Sequence, residues 1–134
     1  MNVRYQVSAP PRAHTDATVF FLPENEPIRS AQITSILEHF PSIEAALASS
    51  DASGKIGSSA VTYVAERSRT RKIVVVGVGD TATLTAERFR RAASSGVRIL
   101  SGTARQCSLV LPLWSPLPAE ATAAAIVEGA VLGS

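Results

Sequence analysis

The stretch Arg71 to Asp80, RKIVVVGVGD, constrains this chain more than any other. Its β-branched run, Ile73 to Val76, shows no polar alternation. Such a run suits a strand buried on both faces, as in a sheet covered by helices. Gly77-Val78-Gly79 reads as the turn that ends the strand. A helix start follows: Thr85 is placed to cap it, and Glu87 falls in its first turn, where the helix dipole favours negative charge. Strand, glycine turn and helix make a βα unit, and its strand is expected at the centre of an α/β sheet.

The flanking sequence supplies the rest of the sheet. Val3, Tyr5 and Val7 alternate with Arg4 and Gln6, the pattern of a half-buried edge strand ended by Pro10-Pro11. Ala17 to Leu22 is continuously apolar and stops at Pro23. Ile33, Ile36, Leu37 and Phe40 form the stripe of an amphipathic helix, broken at Pro41, and Ser42 can cap a second short piece. SSDASGKIGSS reads as a surface loop, and Ala60 to Ala65 as a further strand.

Phe89, Ala92, Ala93, Gly96, Val97 and Leu100 lie at helical spacing, with small residues that permit close approach to the sheet. Cys107 to Leu111 reads as a short strand closed by Pro112. Pro118 is placed to begin an alanine-rich helix, Ala119 to about Leu132. Its Ile126, Val127, Ala130 and Val131 offer a face for packing on the domain. The order β-β-α-β-β-α-β-α predicts a mixed sheet with helices on its faces.

A chain of 134 residues has room for one domain with a proper core. No apolar run is long enough to span a bilayer, and the N-terminus lacks the apolar segment of a signal peptide. A single cysteine, Cys107, excludes an internal disulfide and fits a reducing compartment, so a cytoplasmic location is expected. Acidic side chains outnumber basic ones up to residue 66, and the balance reverses afterwards. Arg67, Arg69, Arg71 and Lys72 crowd one approach to a strand, and Arg88, Arg90, Arg91 and Arg98 lie on one helix. That pattern could meet nucleic-acid phosphates, but a solvated surface is the plainer account and is preferred.

Motif by motif, the chemistry is sparse. Gly77 to Ala82 matches the G-x-G-x-x-G/A form of a dinucleotide site. The helix starts too late, however, and no acidic residue occurs between Glu87 and Glu120 to hold a ribose hydroxyl. Gly54-Lys55 lacks the spacing of a phosphate-binding loop, with Ser49 where its first glycine belongs and Ile56 where a magnesium-binding hydroxyl belongs. His14 and His39 have no metal-ligand spacing, there is no nucleophile elbow, and Cys107 reads as a small buried hydrophobe. The carboxylates are scattered. No catalytic, cofactor-binding or metal-binding residue is therefore assigned.

Three segments together resemble the N-terminal domain of the leucyl (cytosol) aminopeptidase family, the M17 metallopeptidases. They are Gly54-Lys55-Ile56-Gly57, then Lys72 to Gly79 followed by Leu84-Thr85-Ala86-Glu87, and Glu128 to Ser134. The last is the most specific, since in the family a similar sequence leads from the N-terminal into the catalytic domain. The resemblance runs from about Asp16 to Ser134, with Asp80 in place of the usual lysine and Val78 in place of the usual leucine.

The resemblance implies a macro-domain-like, three-layer α/β/α sandwich with a mixed central sheet, occupying residues 1–134 as a single non-catalytic domain. It also implies that the catalytic domain lies beyond this chain. Family members hold two divalent metals, zinc, manganese or magnesium, through motifs like DTxGG and NTDAEGR, and this sequence has neither. The expected role is structural, in the assembly of a hexameric peptidase, with the catalytic domain and sister subunits as partners. The alternatives are a macro-domain-like module binding a nucleotide or ADP-ribose at Gly77–Gly79 and an Arg-rich nucleic-acid-binding domain.

Overall fold

Hydrogen bonding gathers five strands into one mixed sheet in the computed structural model, which describes residues 4–8, 17–25, 53–66, 69–100, 106–112 and 114–134. The elements are β1 (Arg4–Ser8), β2 (Ala17–Pro23), β3 (Ser59–Glu66), β4 (Arg69–Gly79), α1 (Ala86–Leu100), β5 (Gln106–Val110) and α2 (Ala119–Gly133). The strand order is β1-β5-β2-β4-β3. Among these strands only the β3–β4 pair is antiparallel; β1–β5, β5–β2 and β2–β4 run parallel.

The α/β class, the mixed sheet and the edge position of the first strand agree with expectation. The expected helix over Ile33–Phe40, the piece beginning at Ser42 and the helical layer they would form lie outside the described residues.

The placement of the organising strand needs correction. β4 is interior, but β2 holds the middle of the sheet, flanked by β4 and β5. The chain leaves β4, passes through α1 and returns at β5 on the far side of β2. β2 thus pairs Phe20 with Val75 on one side and Val19 with Leu109 on the other. Every residue of β2 is buried, and so are Ile73 to Val76 of β4, as an unalternated apolar run requires.

One face of the sheet carries both described helices. Val19 and Phe21 of β2, with Val74, Val76 and Val78 of β4, join Phe89, Ala93 and Val97 of α1 in one apolar cluster. Phe89 stands edge-on to Phe21 at 5.9 Å between ring centroids, and Trp114 closes over it at 6.1 Å. All six positions of the stripe expected on α1 are buried.

On α2 the packed stripe is Thr122, Ala125, Ile126, Gly129 and Ala130. Val127 and Val131, expected on the packing face, are exposed instead. The rotation follows from Gly129, which sits against the backbone of α1. With that residue inward, the helical repeat turns Val127 and Val131 out.

Candidate functional site

The C-terminal end of β4 meets the GKIG loop along a seam of backbone hydrogen bonds. Gly77 N–H donates to the Ser58 carbonyl at 3.0 Å, and Gly79 N–H donates to the Gly54 carbonyl at 2.8 Å. Glu24 N–H, at the end of β2, donates to the Gly79 carbonyl at 3.0 Å. The loop is closed internally by Ser58, whose Oγ donates to the Lys55 carbonyl at 2.6 Å. A Cβ at Gly77 would stand under 3.0 Å from the Lys55 carbonyl oxygen and the Ser58 hydroxyl. The glycine is there for that approach.

The turn itself lies further on than expected. β4 continues through Gly79, and the reversal is a 3-10 turn over Thr81–Thr83 capped by Asp80. Asp80 Oδ1 accepts from Ala82 N–H at 2.8 Å and from Asn25 Nδ2 at 3.1 Å. Asn25 Oδ1 in turn accepts from Thr81 N–H at 2.9 Å. The hydrogen bond from the Ala82 amide, followed by that from Asn25, holds the Asp80 carboxyl below the ordinary carboxylate range.

These contacts decide the chemistry of the glycine motif. The amides of Gly77, Gly79, Thr81, Ala82, Thr83 and Leu84 all donate within the chain. A pyrophosphate cradle needs such amides free and aimed at the ligand. The nucleotide-binding reading of Gly77–Gly79 loses its physical basis here. At Gly54-Lys55 the Gly54 carbonyl accepts from Gly79, and the Lys55 N–H donates to Ser53 Oγ at 3.3 Å.

The arginines do not make the single solvated surface expected of them. Strand alternation turns Arg71 to the side of Ile73 and Val75, where it is buried. Lys72 is half-buried, and its Nζ donates to the Ile99 carbonyl at 3.4 Å. On α1, Arg90 Nε donates to Glu128 of α2 at 2.9 Å, and Arg90 also bridges to Glu87. Arg88 Nη1 is held by the Thr83 carbonyl and hydroxyl at 3.1 and 3.0 Å. Arg91, largely exposed, reaches Glu87 at 3.3 Å. Arg98 meets no carboxylate among the described residues.

Cys107 is buried, as expected for a small hydrophobe, and burial pushes its thiol up to about 12. Arg67, His14 and His39 lie outside the described residues. No group of three His, Cys, Asp or Glu side chains among the described residues could hold a metal ion. Asp80 caps a turn, and Glu87 and Glu128 engage Arg90. The described residues therefore do not fit the two-metal site of the resembling family.

Among the described residues, a groove and a helix face stand open on the surface. The groove, of about 730 Å³, lies between α1 and β3 and is lined by Ile56, Ser59, Val76, Arg88, Arg91 and Arg98 among others. The helix face is the outer strip of α2, where Val131 and Leu132 are 62% and 68% exposed. Neither was legible in sequence. The strip requires knowing the rotation of α2, and the groove requires knowing which strand α1 leaves uncovered. Asn25 was missed as well, since a lone Asn between prolines carries no signal of a partner at residue 80.

Comparison with known proteins agrees with the fold. The cytosol aminopeptidase family, N-terminal domain, matches over residues 18–134. The solved structure of the bottromycin maturation enzyme BotP is similar at 26% identity and a TM-score of 0.58, over 88% of this chain and 23% of that one. A second structure of that enzyme, in complex with Mn, matches at 24% identity and the same TM-score, over 88% of this chain and 22% of that one. The chain thus spans less than a quarter of the solved relatives it matches. No curated protein matches the sequence at significant similarity. No helix among the described residues is long and apolar enough to cross a membrane.

Proposed function

Because the chain belongs to the cytosol aminopeptidase family, as its N-terminal domain, we propose that it is the non-catalytic structural and assembly domain of a metal-dependent leucyl aminopeptidase. The parent protein removes N-terminal residues from peptides in the cytoplasm, as a homo-hexamer. Its two divalent metals, zinc, manganese or magnesium, sit in a catalytic domain distinct from this one. Two-metal hydrolysis needs several fixed ligands around both ions, and the described carboxylates here have other duties.

The observation that carries the reading is the family match across nearly the whole chain. The exposed strip Val127, Val131 and Leu132 supports the assembly role. Apolar side chains grouped on the outer face of a helix favour coverage by another surface. In this reading the strip meets the rest of the parent protein.

The experiment is a peptidase assay on the purified chain with leucine p-nitroanilide and each of the three metals. The expected result is no hydrolysis. Hydrolysis abolished by a chelator, and lost in a purified point variant of this same chain, would overturn the reading. In the parent protein, Val131→Asp with Leu132→Asp should lower the oligomer mass measured by light scattering. An unchanged mass would remove the assembly role and leave the family assignment standing.

A further inference from the structure

Among the described residues, the face of the sheet beside α1 ends in a strand that neither helix covers. Ser59, Val61 and Tyr63 of β3 pair with Val76, Val74 and Lys72 of β4 and share their face. Beneath α1, Val74 and Val76 are almost completely buried, whereas Val61 and Tyr63 are 42% and 63% exposed. A helix about 10 Å across covers roughly two strands spaced about 4.8 Å apart. α1 lies over β4 and β2, so β3 is left bare alongside it.

Ser59, at the head of that strip, lines the 730 Å³ groove together with Ile56, which is 62% exposed, and Val61 and Tyr63 follow Ser59 on the same face. The wall of the groove is a stripe of α1. Arg88, Arg91, Ser95 and Arg98 recur at i, i+3, i+7 and i+10, on one flank of the helix. The stripe runs for about 15 Å. The carboxylate that lines it is Glu87, already shared by Arg90 and Arg91. Arg98, at the far end, has no acidic partner among the described residues.

The groove and the strip that adjoins it therefore set exposed apolar side chains beside a cationic flank. A bare phosphate backbone would satisfy the arginines but leave Ile56, Val61 and Tyr63 exposed. A polypeptide helix with an apolar face and an acidic flank satisfies both. We propose that the α1–β3 groove is a docking site for an acidic amphipathic helix of a partner polypeptide, laid alongside α1 over β3. Its apolar residues cover Val61 and Tyr63, and its carboxylates, at matching spacings of three and four, meet Arg91 and Arg98. The charged rim sets orientation and salt dependence, and the apolar strip holds the helix in place.

The test is chemical-shift mapping on the isotope-labelled 134-residue chain. The probe is a synthetic helical peptide with leucine and alanine on one face and glutamate along one flank. Controls are the same peptide with lysine for every glutamate, and duplex and single-stranded oligonucleotides. Amide shifts should gather at Ser59–Tyr63 and Arg88–Ile99. Arg98→Glu and Tyr63→Ala, both at exposed positions, should each weaken binding about tenfold while keeping the parental melting temperature. Binding should weaken as ionic strength rises from about 0.01 to about 0.15 M, over which the screening length shrinks from ~30 to ~8 Å. Shifts that are absent up to ~1 mM peptide, or scattered over the surface, would overturn the proposal. So would equal binding of the lysine peptide. An oligonucleotide that produces the same shifts at lower concentration would reassign the groove to nucleic acid.

Discussion

Gly129 of α2 lies against the backbone carbonyl of Arg90 in α1, so close that a Cβ built there would fall under 3.0 Å from that oxygen. The two helices are locked at this point, and Arg90 marks it twice, since its side chain also reaches Glu128 at 2.9 Å. The ion pair is half-exposed, and pairs of that kind contribute little to stability. The steric fit matters more than the ion pair.

Gly129→Ala tests that ranking. Alanine gains about 1 kcal/mol of helix propensity over glycine. Against it stands overpacking on a backbone atom that cannot rotate away, which costs about 1–3 kcal/mol and separates the helices. The expected outcome is a lower melting temperature. Arg90→Ala, which removes only the bridge, should lower it less. Thermal unfolding followed by circular dichroism compares the two.

Val75, 2% exposed, pairs with Phe20 on one side and Ala60 on the other. Val75→Asp buries a charge among these apolar partners, at a cost of several kcal/mol. That is comparable to the ~5–15 kcal/mol of a whole domain. The variant should be insoluble or show no cooperative melt, and a soluble protein with a sharp transition would contradict the order and register of this sheet.

The Cys107 thiol should be silent in the folded protein. It pairs within the sheet opposite Tyr5 and Ala17, is buried, and ionises only near about 12. The thiolate is the reactive species, so native protein at neutral pH should not react with a disulfide reagent. Unfolding in guanidinium should release one thiol per chain. Rapid reaction of native protein would mean that β5 opens readily.

Asp80 gives the fold a pH dependence of definite sign. Its folded value lies below the ordinary 3.8 because the carboxylate accepts from Ala82 and Asn25. A depressed carboxyl contributes stability that is fully present above its unfolded value and is lost as pH falls through its folded value. Wild type should therefore melt above Asp80→Ala at neutral pH. The gap should narrow as pH drops below about 3.8. A gap unchanged down to the lowest measurable pH would show that the charge is not what caps the turn.

Several features of this protein were set by local sequence alone. The apolar runs Ala17–Leu22 and Ile73–Val76 specify buried strands wherever they lie in the sheet, because their period excludes a half-wet surface. The stripe from Phe89 to Leu100 and the Thr85 cap specify α1 and its buried face, since both act within a few turns of one helix. The resemblance in Gly54–Gly57, Lys72–Glu87 and Glu128–Ser134 likewise placed the chain in its family.

Tertiary structure decided what depends on residues far apart in the chain. Asn25 and Asp80 are separated by 55 positions, and neither identity announces the other. Gly77 reads as a tight turn out of a buried strand until the Lys55–Ser58 loop is seen closing on it and using its amide. Arg71 reads as a surface charge until strand alternation turns it to the buried side of β4. The bare face of β3 arises only because α1 returns the chain to β5 and lies over β2 and β4. Local periodicity determines which face of an element is apolar, but the crossing of the chain determines which of those faces is covered.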